Sequence, residues 1–169
     1  RVATSALIKL SRSEIAMACL SGIDLDPDAV LAARLSLWIS AHDPDLCPGL
    51  AQLSGNLVCG NSFLLDLDAF PGRPANGFHA VIGNPPYGAA MGKSVRRHIA
   101  SGYVTGRGGY RNTALHFMER CRDLASPHGT VGLIVPKSLV YSTGWKPAVE
   151  MIVPGLSEIA DASLAFLLV

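Results

Sequence analysis

The amino-acid sequence predicts an α/β fold built as a doubly wound, mostly parallel sheet. Short apolar runs of strand length alternate with stretches of helical period, in the order strand-helix-strand-strand-helix-strand-helix-strand. Several of those runs stop at Gly, Asn, Asp or Pro, as strands entering functional turns do. The composition agrees: 49% hydrophobic residues, 16% charged residues and a mean hydropathy of +0.32 suit one core-rich domain of 169 residues. No internal repeat or low-complexity tract interrupts the pattern.

Residues 3–10 read as the end of an apolar helix, so the chain begins inside an element. Residues 16–24 read as a short buried strand closing in Gly22-Ile23-Asp24-Leu25-Asp26-Pro27-Asp28, where acids and a proline open a helix. From Asp28 to about Ser40, Val30, Leu31, Leu35, Trp38 and Ile39 fall at helical spacing. Asp26 and Asp28 suit capping of that helix. Asp24 instead sits at the strand's last residue, where a carboxylate can accept two hydrogen bonds from a ribose diol.

Residues 42–55 form a Pro/Gly-rich loop, and Leu57-Val58-Cys59 a short strand ending in Gly60-Asn61-Ser62-Phe63-Leu64. A polar side chain followed by an aromatic one at a strand end can bind and sandwich an adenine ring; a plain turn is the alternative. Residues 66–77 are a second loop rich in Pro, Gly and Asp.

The next stretch is His79-Ala80-Val81-Ile82-Gly83-Asn84-Pro85-Pro86-Tyr87-Gly88. It reads as a buried strand that stops at two prolines, which donate no N–H and hold φ near −65°. Asn84, preceding a proline, is pushed towards extended geometry. The stiff turn presents the Asn84 carboxamide, the Pro85 carbonyl and the Tyr87 ring beyond a strand's carboxyl end, where open α/β sheets bind ligands. Two oxygen acceptors suit an NH₂ group, and the ring offers a face for a planar partner.

From Gly88 to Arg111 the sequence reads as a glycine-rich loop with little apolar periodicity, its most flexible part running from Gly106 to Arg111. It lacks the spacing and the Lys-Ser/Thr of a P-loop. An amphipathic helix follows from about Asn112 to Ala125, with Ala114, Leu115, Phe117, Met118, Cys121 and Leu124 inward, ended by Pro127-His128-Gly129. Thr130 to Val135 is a buried strand stopped by Pro136, residues 144–152 a helix containing Trp145, and Leu164 to Val169 an apolar strand.

Charge is unevenly spread. Residues 1–68 carry four Lys/Arg against eight Asp/Glu, whereas residues 69–118 carry six basic residues and no acid. Lys93, Arg96, Arg97, Arg107 and Arg111 of that segment follow the Asn84 turn and suit a polyanionic partner such as DNA, an ordinary solvated loop being the alternative. No 18-residue apolar stretch suggests a membrane span, and residues 1–20 do not read as a signal peptide. Cys19, Cys47, Cys59 and Cys121 have neither metal-site nor disulfide-framework spacing, in keeping with a reducing cytoplasm.

Asn84-Pro85-Pro86-Tyr87 resembles the catalytic motif of S-adenosylmethionine-dependent amino-methyltransferases. From Gly22 to about residue 160 the chain is similar to the large γ-type adenine-N6 DNA methyltransferases of restriction–modification systems, including those fused to a nuclease. Gly22 to Pro27 followed by Ala29-Val30 matches the family's second-strand motif, and Tyr110 to Pro136 its next helix and strand. The resemblance implies a Rossmann-like sheet of the class I methyltransferase type, S-adenosyl-L-methionine as cofactor, and double-stranded DNA as substrate. It assigns the ribose contact to Asp24, with Leu25, Asn61, Ser62, Phe63 and Asn84 beside the cofactor. Asn84, Pro85, Pro86 and Tyr87 become the catalytic turn, and the Arg107 and Arg111 loop approaches DNA or cofactor. No metal is implied.

Two departures stand out. No acid occupies position 61 or 62, and the family's glycine-rich first-strand motif is absent before Asp24. That strand is central in the family's sheet, so its loss would leave neighbouring strands with apolar edges. The sequence therefore reads as a partial catalytic domain, with its first strand and a target-recognition domain lying elsewhere. Two rivals use the same residues differently. A glutamine-N5 release-factor methyltransferase would present a side-chain amide to the same turn, although the acid-free basic segment suits DNA better. A non-catalytic DNA-binding remnant would retain the basic segment without cofactor.

Overall fold

In the computed structural model of the chain, residues 11–41, 55–88, 91–107, 112–140, 143–155, 159–161 and 165–168 are described. The expected apolar helix over 3–10, the loop over 42–54 and Arg111 lie outside them. The chain divides into two compact units. One comprises residues Arg1–Leu65 and Ala69–Gly72, the other Asp66–Asp68 and Arg73–Val169.

The first unit holds α1 (Arg12–Cys19), β1 (Gly22–Asp24), α2 (Pro27–Ser40) and β2 (Leu57–Cys59). The strand expected over 16–24 is corrected here, since residues 16–19 are the last turn of α1. Ser11 and Glu14 form a reciprocal capping box that starts this helix, leaving only Gly22–Asp24 extended. The helix after Asp24 forms as expected: Pro27 occupies its first turn and Asp26 caps it by accepting from the Asp28 N–H at 2.9 Å. Of its apolar positions Val30 is buried, whereas Leu31, Leu35 and Ile39 remain exposed. β1 and β2 run parallel in the register Gly22↔Leu57, Ile23↔Val58, Asp24↔Cys59. A parallel pair needs a crossover connection, which α2 supplies. Arg34 on α2 donates from Nε to the Leu57 carbonyl at 3.0 Å, tying the crossover to β2. Ser13 Oγ donates to the Ala41 carbonyl at 2.6 Å, joining α1 to the end of α2.

The second unit holds β3 (Phe78–Gly83), α3 (Lys93–Gly102), α4 (Thr113–Leu124), β4 (Ala125–Pro136), α5 (Lys146–Ile152), β5 (Ile159–Asp161) and β6 (Ala165–Leu168). Its four strands lie in the order β3-β4-β6-β5. β3 and β4 are parallel, and β6 is antiparallel to both β4 and β5. The sheet is thus mixed, not mostly parallel, because β5 and β6 are joined by a connection far too short for a parallel crossover. The described strands divide between this sheet and the β1–β2 pair, so the α/β character is present and a continuous doubly wound sheet is not seen among them.

The core of this unit is one face of α4 laid on β4. Ala114, Leu115, Met118 and Cys121 pack with Leu133, Val135 and Trp145. Asn112 caps α4 by accepting from the Ala114 N–H at 3.1 Å, which confirms the expected start. The helix gives way directly to β4 at Ala125, so Pro127-His128-Gly129 lies within a longer strand than expected. Its pairing with β3 is irregular between Phe78 and Ala80, where the extra residues are taken up. Trp145 falls in a 3-10 turn leading into α5.

Two expectations in this unit change. Among the described strands β3 stands at an edge of its sheet and is not buried: Ile82 is 85% exposed, while Val81 on the opposite face packs on the core. And the segment from Gly88 to Arg111, read as a flexible loop, contains the ten-residue helix α3. Val95 and Ile99, four residues apart, are buried and supply its inner face.

Candidate functional site

The Asn84 turn leaves the carboxyl end of β3 one residue after the Gly83↔Leu133 pairing. Pro85 is buried, and Asn84, Pro86 and Tyr87 are exposed, so the turn is rooted through one proline and open through the other groups. The Tyr87 hydroxyl lies 2.9 Å from the Ile134 carbonyl of β4 and 3.2 Å from Asn84 Oδ1, and donates to them as a shared hydrogen bond. This contact ties the ring to the neighbouring strand and holds the Asn84 carboxamide in one orientation. A carboxamide oxygen has two lone pairs, so Asn84 Oδ1 keeps capacity for a second donor. The Tyr87 ring is 47% exposed, and its partial burial raises the hydroxyl above the usual tyrosine range. Gly88 follows at φ +63°, a left-handed conformation that lets the chain turn away without a strained side chain.

In the first unit, Asp24 ends β1. Its backbone carbonyl accepts from the Gly60 N–H at 2.8 Å, and its Oδ1 accepts from the Asp26 N–H at 2.8 Å. The carboxylate is thereby aimed by the chain that follows it, with lone pairs remaining for a diol. Leu25 beside it is 70% exposed. After β2, Asn61 Oδ1 accepts from the Phe63 N–H at 3.0 Å, and Leu64 donates to the Asn61 carbonyl at 3.0 Å. These two bonds close a turn after β2. Phe63, which follows in the same turn, is 4% exposed. Ser62 is partly buried in the same turn.

Lys93, Arg96 and Arg97 lie on the exposed side of α3, and Arg107 is exposed in the turn that follows it. Sequence reasoning grouped them as a loop; the structure arranges three of them on a helix. It also reveals contributors that carried no local signal, namely the Ile134 carbonyl that receives Tyr87 and the buried Glu119 carboxylate on α4.

A family model described as Eco57I restriction-modification methylase matches residues 18–153, a span that includes Asp24, the Asn84 turn and α3. No curated protein matches the chain. No helix among the described residues is long and apolar enough to cross a membrane. With most of its 169 residues covered by that match, the chain belongs to the Eco57I restriction-modification methylase family.

Proposed function

We propose that the chain transfers a methyl group from S-adenosyl-L-methionine to the exocyclic N6 of adenine in duplex DNA. The observation that carries this reading is the tied, exposed corner of Asn84 and Tyr87 at the end of a parallel strand. It offers a held oxygen acceptor and a flat ring, which together suit an aromatic amine. Family membership supports a methylase acting in restriction–modification.

The residues at the end of β1 fit the cofactor's nucleoside. Asp24 would accept from its ribose hydroxyls, and exposed Leu25 would pack on its base. The cofactor, when bound, supplies a methyl group on a positively charged sulfur. Asn61, whose Oδ1 accepts from the Phe63 N–H, would donate from its Nδ2 to the adenine beside Leu25.

An adenine inside a duplex cannot reach a fixed corner, so the base must leave the stack at a cost of a few kcal/mol. Stacking on Tyr87 would return about 1–3 kcal/mol of this. The N6–H groups would donate to Asn84 Oδ1 and the Pro85 carbonyl, which draws the nitrogen towards tetrahedral geometry and localises its lone pair. The cofactor would supply the methyl group to that lone pair and leave as its neutral thioether, and the nitrogen would release one proton to water. Positioning supplies most of the acceleration. Asn84→Ala is expected to reduce methyl transfer to DNA by at least about a hundredfold, the scale of removing one oriented acceptor, with unchanged cofactor affinity by calorimetry. Near-normal transfer by that variant would reject the role of the corner.

A further inference from the structure

We infer that the outer face of α3 is a rail for the phosphate backbone of duplex DNA. This rests on the proposed DNA substrate and names the surface that grips it. Lys93, Arg96 and Arg97 are spaced i, i+3 and i+4, which places their side chains together on one face of the helix, away from buried Val95 and Ile99. Arg107 adds a fourth exposed cation just past its end. None of the ion pairs among the described residues involves these four, which pair Arg73 with Asp68, Arg122 with Asp123 and Lys146 with Glu150. No Asp or Glu occurs anywhere in residues 69–118, so the segment contains no acid to neutralise them. Four exposed cations with no acid in their own stretch of sequence are a matched surface for a regularly spaced polyanion.

The helix is also held rigidly. Glu119, 2% exposed on α4, accepts from the Val104 and Thr105 N–H groups at 2.8 and 2.9 Å and from the Thr105 hydroxyl at 2.6 Å. Since that hydroxyl gives its only proton to the carboxylate, His116 Nδ1 donates to Thr105 Oγ1 across 2.9 Å. Gly106 packs so closely beneath the end of α3 that a Cβ there would strike the Ile99 carbonyl. The rail is therefore bolted to the core helix, and little ordering entropy is lost when it meets a ligand. Lys93 lies six residues after Tyr87 in the chain, at most about 20 Å away when fully extended. The backbone it would grip thus lies within one short chain span of the base that the corner would receive.

The test is fluorescence anisotropy of the full chain on a short duplex of arbitrary sequence, over a salt series and without cofactor. Arg96→Ala combined with Arg97→Ala should weaken binding about tenfold or more at 0.1 M salt and lower the slope of log affinity against log salt by about 1.8. Arg96→Gln with Arg97→Gln, which keeps the aliphatic stems and the fold, should give the same drop. Arg96→Lys with Arg97→Lys should keep the slope, because a phosphate needs only a point charge. Lys146→Ala, an exposed cation on α5, should change nothing. An unchanged slope in both neutral pairs, an equal drop with Lys146→Ala, or no binding by the wild-type chain would each overturn the rail. The readout is binding alone, so a failed rail leaves the Asn84 reading intact, and a failed Asn84 reading does not move the slope.

Discussion

Tyr87 does two things that a single substitution can separate. Its ring offers a face, and its hydroxyl fastens that face and the Asn84 carboxamide to the carbonyl of Ile134. Tyr87→Phe keeps the ring and removes the fastening, worth about 1 kcal/mol for a typical hydrogen bond. A five- to tenfold fall in kcat/KM is the expected scale. Tyr87→Ala also removes the stacking surface, at about 1–3 kcal/mol more. Steady-state methyl-transfer kinetics check both, and a Phe variant as impaired as the Ala variant would contradict the division. A second contrast concerns the cysteines. Burial pushes the Cys121 thiol up to about 12, whereas Cys19 and Cys59 are exposed. A thiol reagent at pH 8 should label Cys19 and Cys59 quickly and reach Cys121 only on unfolding, as peptide mass mapping would read out.

Among the elements, α4 carries most of the second unit and is the clearest place to test stability. Leu115, fully buried between the helix and β4, should cost about 2–5 kcal/mol on truncation to Ala. Glu119 on the same helix gives a pH signature. Burial alone would raise its carboxyl, but hydrogen bonds from the Thr105 hydroxyl and N–H and from the Val104 N–H outweigh this and hold it below its usual 4.5. The unfolded chain therefore binds that proton more tightly than the folded one. Its contribution to stability is present in full above about pH 4.5 and is lost as pH falls through the lower folded value. Wild-type melting temperatures should fall across that window more steeply than those of Glu119→Gln, and parallel curves would contradict the assignment.

These elements also show what the sequence could reveal. α2 and α4 were legible because each joins a cap, Asp26 or Asn112, to a long apolar period. α1 was misread because Ala-Met-Ala-Cys-Leu is a short apolar run, and such runs suit strand or helix equally. The Ser11–Glu14 capping box was the signal that would have decided it. α3 escaped notice because only Val95 and Ile99 mark its inner face, and Gly92 before it makes no side-chain cap. The Tyr87–Ile134 tie spans 47 residues of sequence, and no local pattern encodes a contact of that range.

At the scale of the whole molecule, the α/β class was legible in the alternation of apolar runs and helical periods. Strand direction was less legible: β6 lies antiparallel beside β4, and among the described strands β3 stands at an edge with Ile82 exposed. Strand direction depends on connections and long-range pairing, which apolar runs alone do not carry. The chemical consequence of the fold is that an aromatic corner and a carboxylate each stand at the carboxyl end of a parallel strand, while a helix of cations follows the corner in the chain. Adenine N6 is the atom that the Asn84 corner would receive. Duplex DNA treated with the full chain and labelled S-adenosyl-L-methionine should, after digestion and mass analysis, yield N6-methyladenine, and Asn84→Ala should yield almost none. Label found on cytosine, or N6-methyladenine formed equally well by the Asn84 variant, would contradict it.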